Sequence, residues 1–242
     1  MAALGKIVAM GGGGFSSEPE NPLLDDFILS LSRRQPARVC FLPTASSDSP
    51  QYIARFYRAL AQRCLAADLT LVDSATLPRR PASTEALAAF VAEQDIFYVG
   101  GGSTLHLLAL WRAHGLDRLL RDAWQSGAIL CGVSAGMNCW FEASNTDSFG
   151  PLALLKDGLG LVPGAACPHY DGEAQRRVTF RKSITDGMIS AGFAADDGAA
   201  FVFEGTTLVE CVSSRPQSHT YSVTLREGEL VEEALPVRYL GA

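Results

Sequence analysis

Ala128-Ile129-Leu130-Cys131-Gly132-Val133-Ser134-Ala135-Gly136 runs from an apolar, strand-like segment directly into a turn of small residues, and Met137–Glu142 continues in a helix-like pattern. Strand, tight turn and helix in that order are the setting of a nucleophile elbow, G-x-S-x-G. At such a turn the residues two before and two after the serine crowd together, and glycine avoids the clash of their Cβ atoms. The serine hydroxyl then projects from the carboxyl end of the strand, beside helix N-terminal amides that stabilise negative charge. The competing use of Ser134 is as an ordinary helix cap.

Outward from this segment the chain keeps the same rhythm. Lys6–Met10, Arg38–Leu42, Leu69–Val72 and Ile96–Val99 are further apolar, β-rich runs, patterned as strands buried on both faces. Helix-like stretches alternate with them at Pro22–Ser32, Gln51–Ala66, Ser83–Glu93 and Thr104–Ser126, the last broken near Gly115. Ser83 is placed to cap its helix, with Glu85 in the first turn. Such alternation implies right-handed βαβ units and a mainly parallel sheet covered on both sides, a three-layer α/β sandwich. After about residue 185 short strands follow one another: Ile189–Phe193, Ala199–Phe203, Thr207–Cys211, Tyr221–Leu225 and Val231–Tyr239. These are expected to extend the same sheet in antiparallel fashion. No linker or repeat divides the chain, so residues 1–242 are expected to form one domain.

Composition narrows the function classes. The 242 residues are 48% hydrophobic and 19% charged, with net charge -6, which argues against disorder and offers no basic footprint for nucleic acid. No apolar run reaches the roughly 20 residues of a bilayer span, and the start lacks the apolar core of a secretory signal. The six cysteines form no CxxC and no Cys/His cluster of zinc spacing, so buried free thiols in a reducing cytoplasm are expected, with no metal and no cofactor.

Gly100-Gly101-Gly102-Ser103-Thr104 closes one strand and opens a helix, leaving backbone N–H groups bare. Beside a serine nucleophile its simplest use is an oxyanion hole, with Gly101 and Ala135 as amide donors and Gly102 lining the substrate. Gly11–Gly14 fails the dinucleotide fingerprint at Ser16 and Ser17, and is read as a turn at the same sheet edge. A serine needs a base. Of four histidines, His106 and His114 lie in a helical stretch and His219 at a late strand start, whereas His169 stands in a loop after an apolar run. Loops at strand ends carry catalytic groups in such sheets, which favours His169. Asp147, Asp171, Asp196 and Asp197 are open candidates for the acid that orients it.

Tyr98-Val99-Gly100-Gly101-Gly102-Ser103-Thr104-Leu105, Gly132-Val133-Ser134-Ala135-Gly136 and Cys167-Pro168-His169-Tyr170, in that order, resemble peptidase E, the serine peptidase family that includes cyanophycinase. The resemblance implies a Rossmann-like fold related to class I glutamine amidotransferases, with Ser134 as nucleophile and His169 as base. It implies Asp197 as the acid, ranked ahead of Asp147, which matches a second acid considered for that role. The expected activity is hydrolysis of small peptides, dipeptides foremost. The alternatives are a cyanophycinase-like hydrolase, an esterase, or a non-catalytic binding protein on the same fold. One position departs from the family. In Glu173-Ala174-Gln175-Arg176-Arg177, Gln175 stands where an arginine is expected to hold an acidic substrate side chain, and glutamine lacks the guanidinium fork. Arg176, Arg177 and Arg181 are the candidates to replace it.

Overall fold

The structure, a computed structural model, describes residues 5–71 and 83–242. The first half alternates as the pattern predicts: β1 (Lys6–Met10), α1 (Gly14–Ser17), α2 (Leu23–Ser30), β2 (Arg38–Leu42), α3 (Pro50–Leu60), β3 (Leu65–Asp68), α4 (Thr84–Ala92), β4 (Ile96–Val99), α5 (Thr104–His114), α6 (Leu116–Gln125) and β5 (Ile129–Val133). Ser83 caps α4 by accepting the Ala86 N–H at 3.2 Å. Gly115, at φ 69°, takes the left-handed turn that separates α5 from α6. Then come α7 (Ala135–Asn138), β6 (Phe141–Thr146), β7 (Ala153–Leu155), β8 (Val162–Cys167), α8 (Ala174–Thr185), β9 (Ala191–Ala195), β10 (Ala199–Glu204), β11 (Thr207–Ser213), β12 (Thr220–Arg226), β13 (Glu229–Leu235) and β14 (Arg238–Tyr239).

The eight-stranded sheet runs β14-β11-β10-β1-β5-β4-β2-β3, parallel from β1 through β3 and antiparallel where β10 joins β1 and β11 joins β10. Its central strands are buried on both faces, which accounts for their unbroken apolar sequence.

Three expectations need correcting. The late strands do not all complete one sheet: β9, β12 and β13 join β6, β7 and β8 in a second, six-stranded sheet. The helix after Ser134 is a single turn, because Phe141, Ala143 and Ser144 instead pair in parallel with β8. The helix drawn over Gln51–Ala66 ends at Leu60, since Leu65–Asp68 pairs with β2; Leu69–Leu71 continue as buried coil, and Val72 of the expected strand lies outside the described residues.

The two sheets share one apolar core. Phe193 of β9 packs edge-on against Phe201 and Phe203 of β10, 5.2 and 5.5 Å away, and Phe141 of β6 meets Phe203 at 5.9 Å. Asp25 of α2 is a buried carboxylate in this framework, accepting the Tyr98 hydroxyl at 3.0 Å. Burial pushes its pKa up from 3.8 to about 6. Ionising Asp25 therefore costs about 3 kcal/mol of stability. The cost is absent below pH 3.8, sets in as pH rises and is complete above about 6. The stability of Asp25→Asn relative to wild type, read by urea denaturation, should accordingly rise by about 3 kcal/mol between acid and neutral pH.

Candidate active site

Ser134 follows β5 at φ 58° and ψ −111°, a conformation that side-chain-bearing residues seldom adopt. The crowding is visible: a Cβ at Gly132 would overlap the carbonyl of Gly136. The Ser134 side chain does not cap α7, so its hydroxyl is not engaged as an ordinary helix cap. Within residues 129–141 it is also the one residue that is not buried. The strained backbone thus leaves this hydroxyl uncapped at the carboxyl end of β5.

His169 sits in the β8–α8 loop, itself at a positive φ of 54°. Its Nδ1 lies 2.6 Å from Oδ1 of Asp197, in the short link between β9 and β10. The hydrogen bond from His169 outweighs burial and holds the Asp197 carboxyl below its ordinary value. With Nδ1–H donated to a carboxylate, Nε2 carries the imidazole lone pair, the tautomer a general base needs. Asp171 accepts the Asp197 N–H at 2.8 Å and Ser218 donates to the Asp197 carbonyl at 2.5 Å, so the link is held on both sides. Asp196 points elsewhere, accepting the His219 N–H at 2.9 Å. Asp147 is exposed and lies 3.9 Å from Arg176, while the acid that meets His169 is Asp197.

What brings these residues together is the end of β1. The Ser134 N–H donates to the Met10 carbonyl at 3.1 Å, the His169 N–H to that of Gly11 at 3.3 Å, and the N–H of Gly198, next to Asp197, to that of Gly12 at 3.1 Å. Three consecutive carbonyls therefore fix three loops. A side chain at Gly11 would overlap the Asp196 carbonyl, and one at Gly12 would overlap the Asp197 carboxylate. The glycine run after the first strand is thus a close-approach device that lines the site.

Gly100–Gly102 closes the site from the β4 side. A Cβ on Gly101 would stand 3.3 Å from Ser134 Cβ and 3.8 Å from its Oγ. Its N–H, expected to be free for an oxyanion, is donated to the Tyr52 hydroxyl at 3.1 Å. Ala135, the other expected donor, opens α7 directly after the serine. Gly102 is exposed, at φ 136°, where a side chain would overlap the Ala45 carbonyl. Tyr52 went unmarked in the sequence, because a tyrosine in a helix carries no motif; the only hint was that its helix follows a strand of the same sheet.

The arginines of α8 are all engaged. Arg176, almost fully buried, donates from Nε to Glu173 at 2.7 Å and from Nη1 to the Asn145 carbonyl at 3.1 Å. Arg177 pairs with Glu232 of β13 and lies over the rings of Tyr170 and Tyr221, and Arg181 stands 3.6 Å from the same carboxylate. Glu232 also accepts the Tyr170 hydroxyl at 2.6 Å, anchoring the residue next to His169. Arg181 is thereby tied to the second sheet.

The fold thus ties a strained serine and a His–Asp pair to successive carbonyls at the end of one strand, an arrangement compatible with a hydrolytic enzyme. Residues 7–211 match the model of peptidase family S51, and the chain belongs to that family, which makes it a peptidase. It is 49% identical over 237 residues to an uncharacterized peptidase of Bacillus subtilis (strain 168), YgaJ, covering 98% of this chain and 99% of that one. It is 32% identical over 136 residues to a peptidase E of Streptomyces coelicolor, covering 55% of this chain and 51% of the relative. Among solved structures, a peptidase from an acI-B1 actinobacterium superposes with a TM-score of 0.68 at 18% identity, over 97% of this chain and 95% of that one.

The strain at Ser134 is measurable. Glycine relaxes at a positive φ whereas alanine does not, so Ser134→Gly should be more stable than Ser134→Ala by about 1 kcal/mol in urea denaturation.

Proposed function

We propose that the protein is a serine peptidase that cleaves small peptides by two-step acyl transfer, with residues 1–242 acting as one catalytic domain. His169 Nε2 takes the proton as Ser134 Oγ attacks the peptide carbonyl. Asp197 holds the imidazole in the required tautomer and stabilises the imidazolium that forms. The Ala135 N–H, at the start of α7, is a donor to the developing oxyanion. His169 then protonates the leaving amine, and water releases the acyl group by the same route in reverse. The observation that carries this reading is the attachment of all three loops to the carbonyls of Met10, Gly11 and Gly12. A binding protein that kept the turn for packing alone would have no need of a strained, uncapped serine there.

The substrate reading is broader than acidic dipeptides. Gln175 offers no guanidinium, Arg176 is neutralised by Glu173, and Arg177 and Arg181 are held by Glu232. The exposed carboxylate of Asp147 near Arg176 adds negative charge at this side of the site. Along α8 an acidic side chain would meet no free fork, so on that side of the site neutral or basic first residues are accommodated at least as well. All six cysteines are buried and unpaired, which supports a reducing compartment, and we place the protein in the cytoplasm. Among the described residues no helix is long and apolar enough to cross a membrane.

A fluorophosphonate should label the wild type and leave Ser134→Ala unlabelled, with peptide hydrolysis falling by several powers of ten and the fold intact. Undiminished hydrolysis by Ser134→Ala would remove this assignment. On a dipeptide panel, leucyl and lysyl substrates should be cleaved at least as fast as aspartyl ones; strict dependence on an N-terminal aspartate would refute the broad reading.

A further inference from the structure

Tyr52 lies in the first turn of α3, 4% exposed, its ring packed among Phe15, Phe41 and the backbone of Gly100. Ser49 caps the helix by accepting the Tyr52 N–H, which fixes where the ring leaves the backbone. Besides accepting the Gly101 N–H, the Tyr52 hydroxyl shares a hydrogen bond with Ser16 Oγ. Ser16 is held in turn by Arg55, whose guanidinium stacks 4.7 Å over the tyrosine ring and donates to the Ser16 carbonyl at 3.0 Å. A phenol has two lone pairs and one proton. When the Gly101 N–H takes one lone pair and the Ser16 hydroxyl the other, the phenol proton is left for a third group.

We propose that Tyr52 donates that hydrogen bond to the oxyanion formed on attack by Ser134, standing in for the Gly101 amide as the partner of the Ala135 N–H. This rests on the serine-peptidase reading above. As the Ser134 Oγ–carbon bond forms, the carbonyl π pair moves onto oxygen, and Tyr52 hydrogen-bonds to it while keeping its own proton. Two donors into the phenol oxygen strengthen it as a donor in turn. Burial raises its pKa above the ordinary tyrosine value, so the proton is in place throughout the neutral range. The Gly101 N–H serves the hole at one remove, by aiming Tyr52.

Tyr52→Phe deletes one oxygen and keeps the ring in its aromatic cluster. It should lower kcat by about 10²–10³-fold with KM little changed. A purely structural role is separated by comparing a peptide aldehyde, which forms an oxyanion-bearing adduct with Ser134, and the matching peptide alcohol, which does not. The ratio of their affinities should fall by about 10²-fold in Tyr52→Phe. An unchanged ratio would overturn the proposal, as would a kcat equal to or above the wild-type value, which would make the released Gly101 amide the donor. If wild type is not labelled at Ser134 by the phosphonate, the underlying reading fails instead, a result obtained without reference to Tyr52.

Discussion

Three hydrogen bonds to three successive carbonyls, at Met10, Gly11 and Gly12, are the constraint on which the rest of the site depends. Each receives the N–H of a different loop, and each loop carries one of the three residues the proposed chemistry needs. Backbone amides set the spacing, so side-chain rotamers have little left to decide. The arrangement demands glycine at residues 11 and 12, because the chain ahead, Asp196–Asp197, passes where a Cβ would be. A run that fails the dinucleotide fingerprint thus allows a close approach of two chain segments.

The packing beneath supports that geometry. Ser134 belongs to the first sheet and His169 to a loop of the second, while Asp197 lies where the chain passes from β9 to β10 and hence from one sheet to the other. Phe141 and Phe193 from one sheet, and Phe201 and Phe203 from the other, interlock with ring centroids 5.2 to 5.9 Å apart for the close cross-sheet pairs. Such edge-on contacts fix the relative position of the sheets more sharply than aliphatic side chains would. Tyr170 extends the support outward, bonded through its N–H to the Ala195 carbonyl and through its hydroxyl to Glu232. A left-handed His169 is thus followed by a residue anchored through both backbone and side chain.

Local patterns were legible in the sequence and long-range pairings were not. The bounds of β1, β2 and β4 follow from apolar runs, and Ser83 and Gly115 mark helix ends by their own chemistry. Ser134 and His169 could be singled out because a turn of small residues and a strand-end loop leave a local trace. The second sheet left none, since alternation within β12 or β9 is the same whichever sheet the strand joins. The choice of Asp197 among four aspartates came from a resemblance and not from spacing; its meeting with His169 depends on a contact 28 residues apart in the chain. The commitment of the Gly101 N–H to Tyr52 was hidden for the same reason, as 49 residues separate the partners.

The split of the proposed nucleophile and base between two sheets also bears on the chain during its synthesis and folding. Residues 5–133 can lay down most of the parallel sheet from contacts within the first half, but the base arrives only with β8 and its orienting acid only when the chain returns through β10. Contacts of such long range close late, after the entropy of large loops has been overcome. In a nascent or partly unfolded chain Ser134 therefore stands apart from the residues proposed as its base and acid until the two sheets have docked.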